Sequence, residues 1–162
     1  VAVHLARRGV ETYLPVIPRR SQWHDRQKTI LWPLYPGYVF VRLTDREFSQ
    51  VTDLPGVASL VGNEGKPSPI DPVDLDNVRR IEALLEESGE IPVSEPLVEE
   101  GERVFVESGQ LSGMRGVVLQ RRGSGRVLIQ VGLKTIGQGV KLEVDARQLR
   151  SLGDSPGTES PG

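Results

Sequence analysis

The chain contains no cysteine, one methionine and two histidines in 162 residues. Without cysteine there is no disulfide, no thiolate nucleophile and no cysteine-ligated zinc, and the chain suits a reducing, cytoplasmic compartment. Only His4 and His24 supply imidazole. His24 is followed by Asp25 in a polar stretch, where adjacent side chains generally diverge. No glycine loop ends in Lys-Ser or Lys-Thr, so there is no P-loop. Glu86, Glu87, Glu99 and Glu100 read as surface and linker acids. Catalysis needs an activated nucleophile, a tuned acid–base pair or a metal cage, and none is visible. No enzyme activity, cofactor or metal is expected. No apolar run approaches the ~18 residues of a membrane span, and no signal peptide is visible. Net charge is only −2, so no global charge draws the chain to nucleic acid or membrane.

Aromatics make up only 5% of residues, eight in all (two Trp, three Tyr, three Phe). Three of the eight lie in "LYPGYVFV", residues 34–41, around a Pro-Gly turn. They either plug a core or form an adhesive surface for a partner. Charge is also unevenly placed. Residues 1–44 hold seven Lys/Arg against two Asp/Glu, residues 45–100 four against fourteen, and residues 101–152 nine against four. Such blocks steer charged partners over roughly one Debye length, ~8 Å at physiological salt.

Periodicity and turn residues divide the chain in two. "VAVHLARRG" reads as the last turns of an amphipathic helix capped by Gly9. It begins without a methionine and already inside a helical pattern, so an earlier segment with a first strand is expected to precede it. "VETYLPVIP" (10–18) alternates as a strand, pushed toward an edge by Pro15 and Pro18. Residues 19–28 read as a polar, basic hairpin loop, followed by a strand, the Pro-Gly interruption and a strand at 38–43. A short helix over 45–52 has Thr44 as N-cap, and a short strand is expected at 57–61. Asp71-Pro72 starts a helix to about Ser88 with Val73, Val78, Ile81, Leu84 and Leu85 on its apolar face. Residues 89–98 read as a linker. Beyond them, "ERVFVES", "GVVLQR", "RVLIQV" and "VKLEV", separated by glycine-rich turns, predict a small all-β barrel over 99–152. Residues 153–162 have the composition of a disordered tail.

Two motifs stand in a telling order. "PGYVFV" is followed about 15 residues later by "LPGVASLVG", then by "GKPSPI", a helix, a linker and "EGERVFVESGQLSGMRGVVLQ". Together they resemble the NusG family of transcription elongation factors across roughly residues 1–152. The implied fold is an α+β N-terminal domain (1–88), an antiparallel sheet flanked by helices and lacking its first strand. A linker (89–98) joins it to an SH3-like KOW barrel (99–152), with Gly109, Gly113 and Gly116 as the KOW turn glycines.

The resemblance implies a transcription elongation factor whose N-terminal domain binds the clamp helices of RNA polymerase and suppresses pausing or termination. Tyr35, Pro36, Gly37, Tyr38 and Phe40 match the family's clamp-binding surface. In a strand, Tyr38, Phe40 and Arg42 share one face and Val39, Val41 and Leu43 the other. The aliphatic set reads as the packing face, so Tyr38 and Phe40 are expected to look outward. Lys66, Ser68 and Asp71 are placed for a second polymerase contact. Arg19, Arg20, Trp23, His24, Arg26 and Lys28 mix basic groups with an indole, which suits single-stranded nucleic acid, and the family's position implies non-template DNA. The barrel would recruit a further factor, a ribosomal protein or Rho. Its "KTIGQGVKLEVDARQL" departs from the housekeeping pattern, is closer to specialised antiterminators, and puts those two partners in doubt. A monomer off the membrane is expected. The alternatives are an RNA-binding, translation-linked KOW module and a plain protein–protein adaptor.

Overall fold

The computed structural model describes residues 1–63 and 66–154. The expected tail lies outside the described residues from 155 onward, whereas Gly153 and Asp154 belong to the last strand.

The N-terminal unit opens with helix α1 (Ala2–Arg7), closed by Gly9 at φ 80°. Strands β1 (Glu11–Tyr13) and β2 (Val16–Trp23) follow. The expected strand at 10–18 is thus split around Leu14-Pro15, and the Pro15 carbonyl accepts the Leu34 N–H instead of a ladder partner. The stretch expected as a loop at 19–28 is mostly strand: β2 pairs with β3 (Arg26–Pro33) along its whole length from Val16↔Pro33 to Trp23↔Arg26. Only His24 and Asp25 make the turn, with His24 at φ 52°. Long polar side chains suit a two-stranded ribbon standing in water, so composition alone does not distinguish it from a loop.

β4 (Phe40–Arg42) pairs antiparallel with β1. A single 3₁₀ turn at Asp45–Glu47 leads into α2 (Phe48–Thr52), and Glu47 Oε2 accepts the Thr44 backbone N–H at 2.9 Å. The expected strand at 57–61 is not formed; the pairing falls later, between β5 (Gly62–Asn63) and β6 (Lys66–Pro67). α3 (Pro72–Ser88) starts and stops where its signals place it. Asp71 Oδ1 accepts from Val73 N at 2.8 Å, proline opens the first turn, and Gly89 closes the helix at φ 80°. Val78, Ile81 and Leu85 are buried along it, but Val73 is exposed. Its place in the first turn lies beyond the end of the core.

β4 has two covered faces. Val39, Val41 and Leu43 pack on a small cluster of Leu5, Val10, Val51 and Leu54 under α1 and α2. Phe40 belongs to the larger core with Ile17, Leu34, Tyr35, Val78, Ile81 and Leu85 under α3. The aliphatic face is the packing face expected, but the expectation that Phe40 looks outward is wrong, because α3 closes the opposite side.

The C-terminal unit is one six-stranded antiparallel sheet. Its strands are β7 (Ser94–Pro96), β8 (Glu102–Val106), β9 (Arg115–Arg121), β10 (Arg126–Leu133), β11 (Gln138–Asp145) and β12 (Leu149–Asp154). They are ordered β12-β8-β9-β10-β11-β7. The expected linker is therefore shorter than 89–98, since Ser94–Pro96 are an edge strand on β11. The cause is Gln130, the one buried polar side chain among the described residues. Its Oε1 accepts from Val98 N at 2.8 Å and its Nε2 donates to the Pro96 carbonyl at 3.1 Å, which ties the segment down. Gly113 sits at φ 89° in the β8–β9 loop, a left-handed turn that glycine adopts without steric cost. Gly116 is needed for space, since a Cβ there would meet the Gln130 carbonyl oxygen at 2.9 Å.

Candidate protein and nucleic-acid interfaces

Tyr35, Pro36, Gly37 and Tyr38 form a tight turn. The Tyr35 carbonyl accepts the Tyr38 N–H at 3.1 Å, and Gly37 has φ 87°. Proline at the second position and a left-handed glycine at the third are the requirements of a type II turn. The turn separates the residues by role. Tyr35 is only 2% exposed. Its ring meets Phe40 edge to face at 6.1 Å. Burial pushes its hydroxyl up to about 12, with the Asp74 carboxylate adding to the effect. Pro36 and Gly37 are exposed and Tyr38 is half-buried. Of the five residues matched to a clamp-binding surface, Tyr35 and Phe40 lie in the core, and Pro36, Gly37 and Tyr38 reach solvent.

Tyr13 completes the aromatic group, and no motif in the sequence singles it out. It stacks on Phe40 at 5.9 Å, lies beneath the Arg79 guanidinium at 5.2 Å and donates from its hydroxyl to Glu82 Oε2 at 2.8 Å. Burial, followed by the Glu82 hydrogen bond and charge, raises its pKa. Burial also raises that of Glu82, against the lowering effect of the Tyr13 hydrogen bond. The one available signal for Tyr13 is its alternation within "VETYLPVIP". Three aromatic rings and α3 thus form a stiff bed under the turn.

The β2–β3 hairpin carries two kinds of surface. Paired residues share a face, so Trp23, Arg26, Lys28, Ile30 and Trp32 lie on one side and Arg20 and Leu31 on the other. Trp23 is 65% exposed and Leu31 59%. His24 occupies the turn, its ring edge-on to Trp23 at 5.4 Å. Arg19 is the exception among the basic group. Its guanidinium donates to the Leu85 carbonyl and to the Glu90 carbonyl at 2.6 Å, at the C-terminal end of α3. It is spent on capping the helix, where cations are favoured, and is withdrawn from the nucleic-acid group.

Lys66, Ser68 and Asp71 are exposed around the start of α3. Ser68 donates its N–H to the Val61 carbonyl at 2.8 Å and Asp71 caps the helix, so two of the three serve the local fold. The two units meet along α3. Arg80 Nη2 donates to the carbonyls of Gln110 (2.6 Å) and Ser112 (2.8 Å), and Gln110 Nε2 donates to Glu87 Oε2 at 2.7 Å. Gly109 and Gly113 flank those carbonyls in the β8–β9 loop. Toward the start of α3 the units are separated by a groove of about 780 Å³ lined by Asp74, Asn77, Arg103, Met114 and Lys134 among others.

Among the described residues no cluster of three or more His, Asp or Glu is placed to hold a metal ion, and no helix is long and apolar enough to cross a membrane.

Residues 1–79 match the family model described as NusG, "Transcription termination factor nusG". The "Transcription termination/antitermination protein NusG" of Staphylococcus aureus, in strains Mu50 and N315, is 29% identical over 145 residues. The match covers 85% of this chain and 76% of the relative. A solved structure described as "Domain interaction in Thermotoga maritima NusG" superposes with a TM-score of 0.56 at 23% identity, over 93% of this chain and 86% of that one. That likeness is one of fold. Residues 1–79 thus match the NusG family's model, and the similarity to the Staphylococcus aureus NusG proteins runs over most of the chain.

Proposed function

We propose that the chain is a transcription termination/antitermination factor that binds the clamp helices of RNA polymerase through the Pro36-Gly37-Tyr38 turn. On this reading it acts on pausing or termination while its C-terminal sheet, the KOW barrel of the family, engages a further factor. The observation that carries the reading is the division of labour in the turn. Tyr35 and Phe40 are buried and fix the backbone, so Tyr38 is presented on a rigid support. A half-exposed tyrosine offers apolar area, few rotatable bonds and a hydroxyl that tolerates water in the unbound state. Holding the clamp changes pausing only through the difference in affinity for the paused and active arrangements.

Trp23, Arg26 and Lys28 on one face of the hairpin, with His24 at its turn, are the proposed contact to single-stranded, non-template DNA, and Arg20 on the opposite face lies outside it. Lys66, with Ser68 and Asp71 beside it, is the proposed second polymerase contact. The departing C-terminal sequence supports a specialised family member. Binding of labelled protein to core RNA polymerase tests the reading. Tyr38→Ala is expected to weaken binding by tenfold or more, the ~2 kcal/mol scale of an interface anchor. Unchanged affinity in a folded Tyr38→Ala protein overturns the assignment of the turn.

A further inference from the structure

We infer that the outer face of β12, β8 and β9 is a docking surface for an extended peptide that alternates acidic and apolar side chains. This rests on the reading that the C-terminal sheet engages a further factor, and it names the face used and the chemistry of the partner. In β8, Val104 and Val106 are buried on the inner side, so the alternation of a strand turns Arg103 and Phe105 to the other. Arg150 of β12 and Arg115 of β9 both lie opposite Phe105 in register, and paired residues share a face. Val117 of β9 lies opposite Arg103 in the same way. The face thus carries Arg150, Phe105 and Arg115 in one row across three strands, with Arg103 and Val117 in the next. Leu152, on the edge strand β12, is 42% exposed.

The Arg150 guanidinium lies over the Phe105 ring, 5.1 Å from its centroid, and its Nε meets Glu107 Oε1 at 3.0 Å. The Arg150 side chain is still 58% exposed. The ring orients the guanidinium and removes water from one side of it, which suits its fork to a carboxylate. Elsewhere on the sheet, cations meet acids of the neighbouring strand: Arg121 Nη2 with Glu102 Oε1 at 2.7 Å, Arg126 Nε with Glu143 Oε1 at 3.2 Å and Lys141 Nζ with Glu95 Oε1 at 2.8 Å. On this face three arginines gather around one ring, and electrostatic complementarity favours an acidic partner. Two features favour a peptide over a nucleic-acid strand. The face of Phe105 covered by Arg150 is closed to base stacking, the sequence-tolerant contact to single strands. Glu107 beside Arg150 repels a continuous polyanion, as do Asp74 and Glu99, which line the same groove as Arg103 and Arg115. Carboxylates set apart on a peptide avoid them. In an extended peptide the first, third and fifth side chains share a face and span about 13 Å, and Arg150 and Arg115 stand two strand spacings, about 10 Å, apart. Acid, apolar and acid at those positions match arginine, phenylalanine and arginine.

The test is amide chemical-shift mapping of the whole ¹⁵N-labelled chain with a short peptide carrying glutamate, leucine and glutamate at alternate positions. Shifts are expected to concentrate at Arg103, Phe105, Arg115 and Arg150 and to weaken with added salt. Phe105→Ala and, separately, Arg150→Gln are each expected to weaken the peptide's affinity by about tenfold. Amide shift dispersion reports retained folding, and Arg150→Gln, at an exposed side chain, tests the face without touching the core. Equal binding of a peptide with lysine in place of glutamate, shifts confined to other parts of the chain, or no shifts at millimolar peptide overturns the inference. Single-stranded RNA that shifts the same amides with higher affinity than the peptide assigns the face to nucleic acid and overturns the choice of partner. Phe105→Ala protein is expected to bind core RNA polymerase as the wild type does. Loss of polymerase binding by the wild type defeats the clamp reading and leaves the peptide result standing, whereas absent shifts with intact polymerase binding defeat this inference alone.

Discussion

At the residue scale, two tyrosines three positions apart have opposite duties. Tyr35 is a core ring and Tyr38 is a displayed one. Tyr35→Ala is expected to cost about 3–5 kcal/mol in denaturant unfolding, as large aromatic deletions in cores do. Tyr38→Ala is expected to cost about 1 kcal/mol, since its ring is only partly packed. The hydroxyls add a pH dependence. The folded-state pKa of Tyr35 is raised to about 12 from the ordinary tyrosine value of 10, and that of Tyr13 is raised as well. A raised pKa stabilises the fold fully below the unfolded value and loses that contribution as pH climbs through the folded one. Stability is therefore expected to be level up to about pH 10, then to fall by about 1.4 kcal/mol per pH unit for each ring. Tyr35→Phe should flatten the alkaline limb of a pH series of unfolding curves. An equally steep limb in that variant contradicts the burial argument.

At the element scale, the exposed hairpin is where chemistry and sequence reading part. Trp23→Ala is expected to weaken binding of a single-stranded oligonucleotide by ~1–3 kcal/mol. Arg26→Ala with Lys28→Ala should reduce the salt slope by about 0.7 for each phosphate that is no longer neutralised. Neither change should move the melting temperature, because these side chains are solvated. Titration at several salt concentrations measures both effects. Capped elements are legible in the sequence. Asp71-Pro72 and Gly89 bracket α3, and Gly9 closes α1, because caps are local chemistry. The base of the β2–β3 hairpin is legible, but its outer part over residues 19–28 is not, since strand segments largely wet on both faces carry no hydrophobic alternation. β7 is hidden for a related reason. Its pairing depends on Gln130, some 34 residues away in sequence, and no local pattern reports a long-range amide.

At the scale of the whole molecule, the order of a mixed N-terminal unit and an all-β C-terminal unit is legible from the switch in periodicity near residue 89. That both faces of β4 are covered is not, because α3, which closes the Phe40 side, is supplied by residues some thirty or more positions later. The β-branched strands and glycine-rich turns of the C-terminal unit oppose a helical alternative. The isolated segment 93–154, which retains β7, is expected to give a strand-type circular dichroism spectrum, and a persistent strong helical signal contradicts it. The most direct test of the clamp reading is single-round transcription on a pausing template by purified RNA polymerase. Wild-type protein is expected to shorten pauses, and folded Tyr38→Ala protein is expected to lose most of that effect. No effect of the wild type, or an undiminished effect of Tyr38→Ala, would contradict the account.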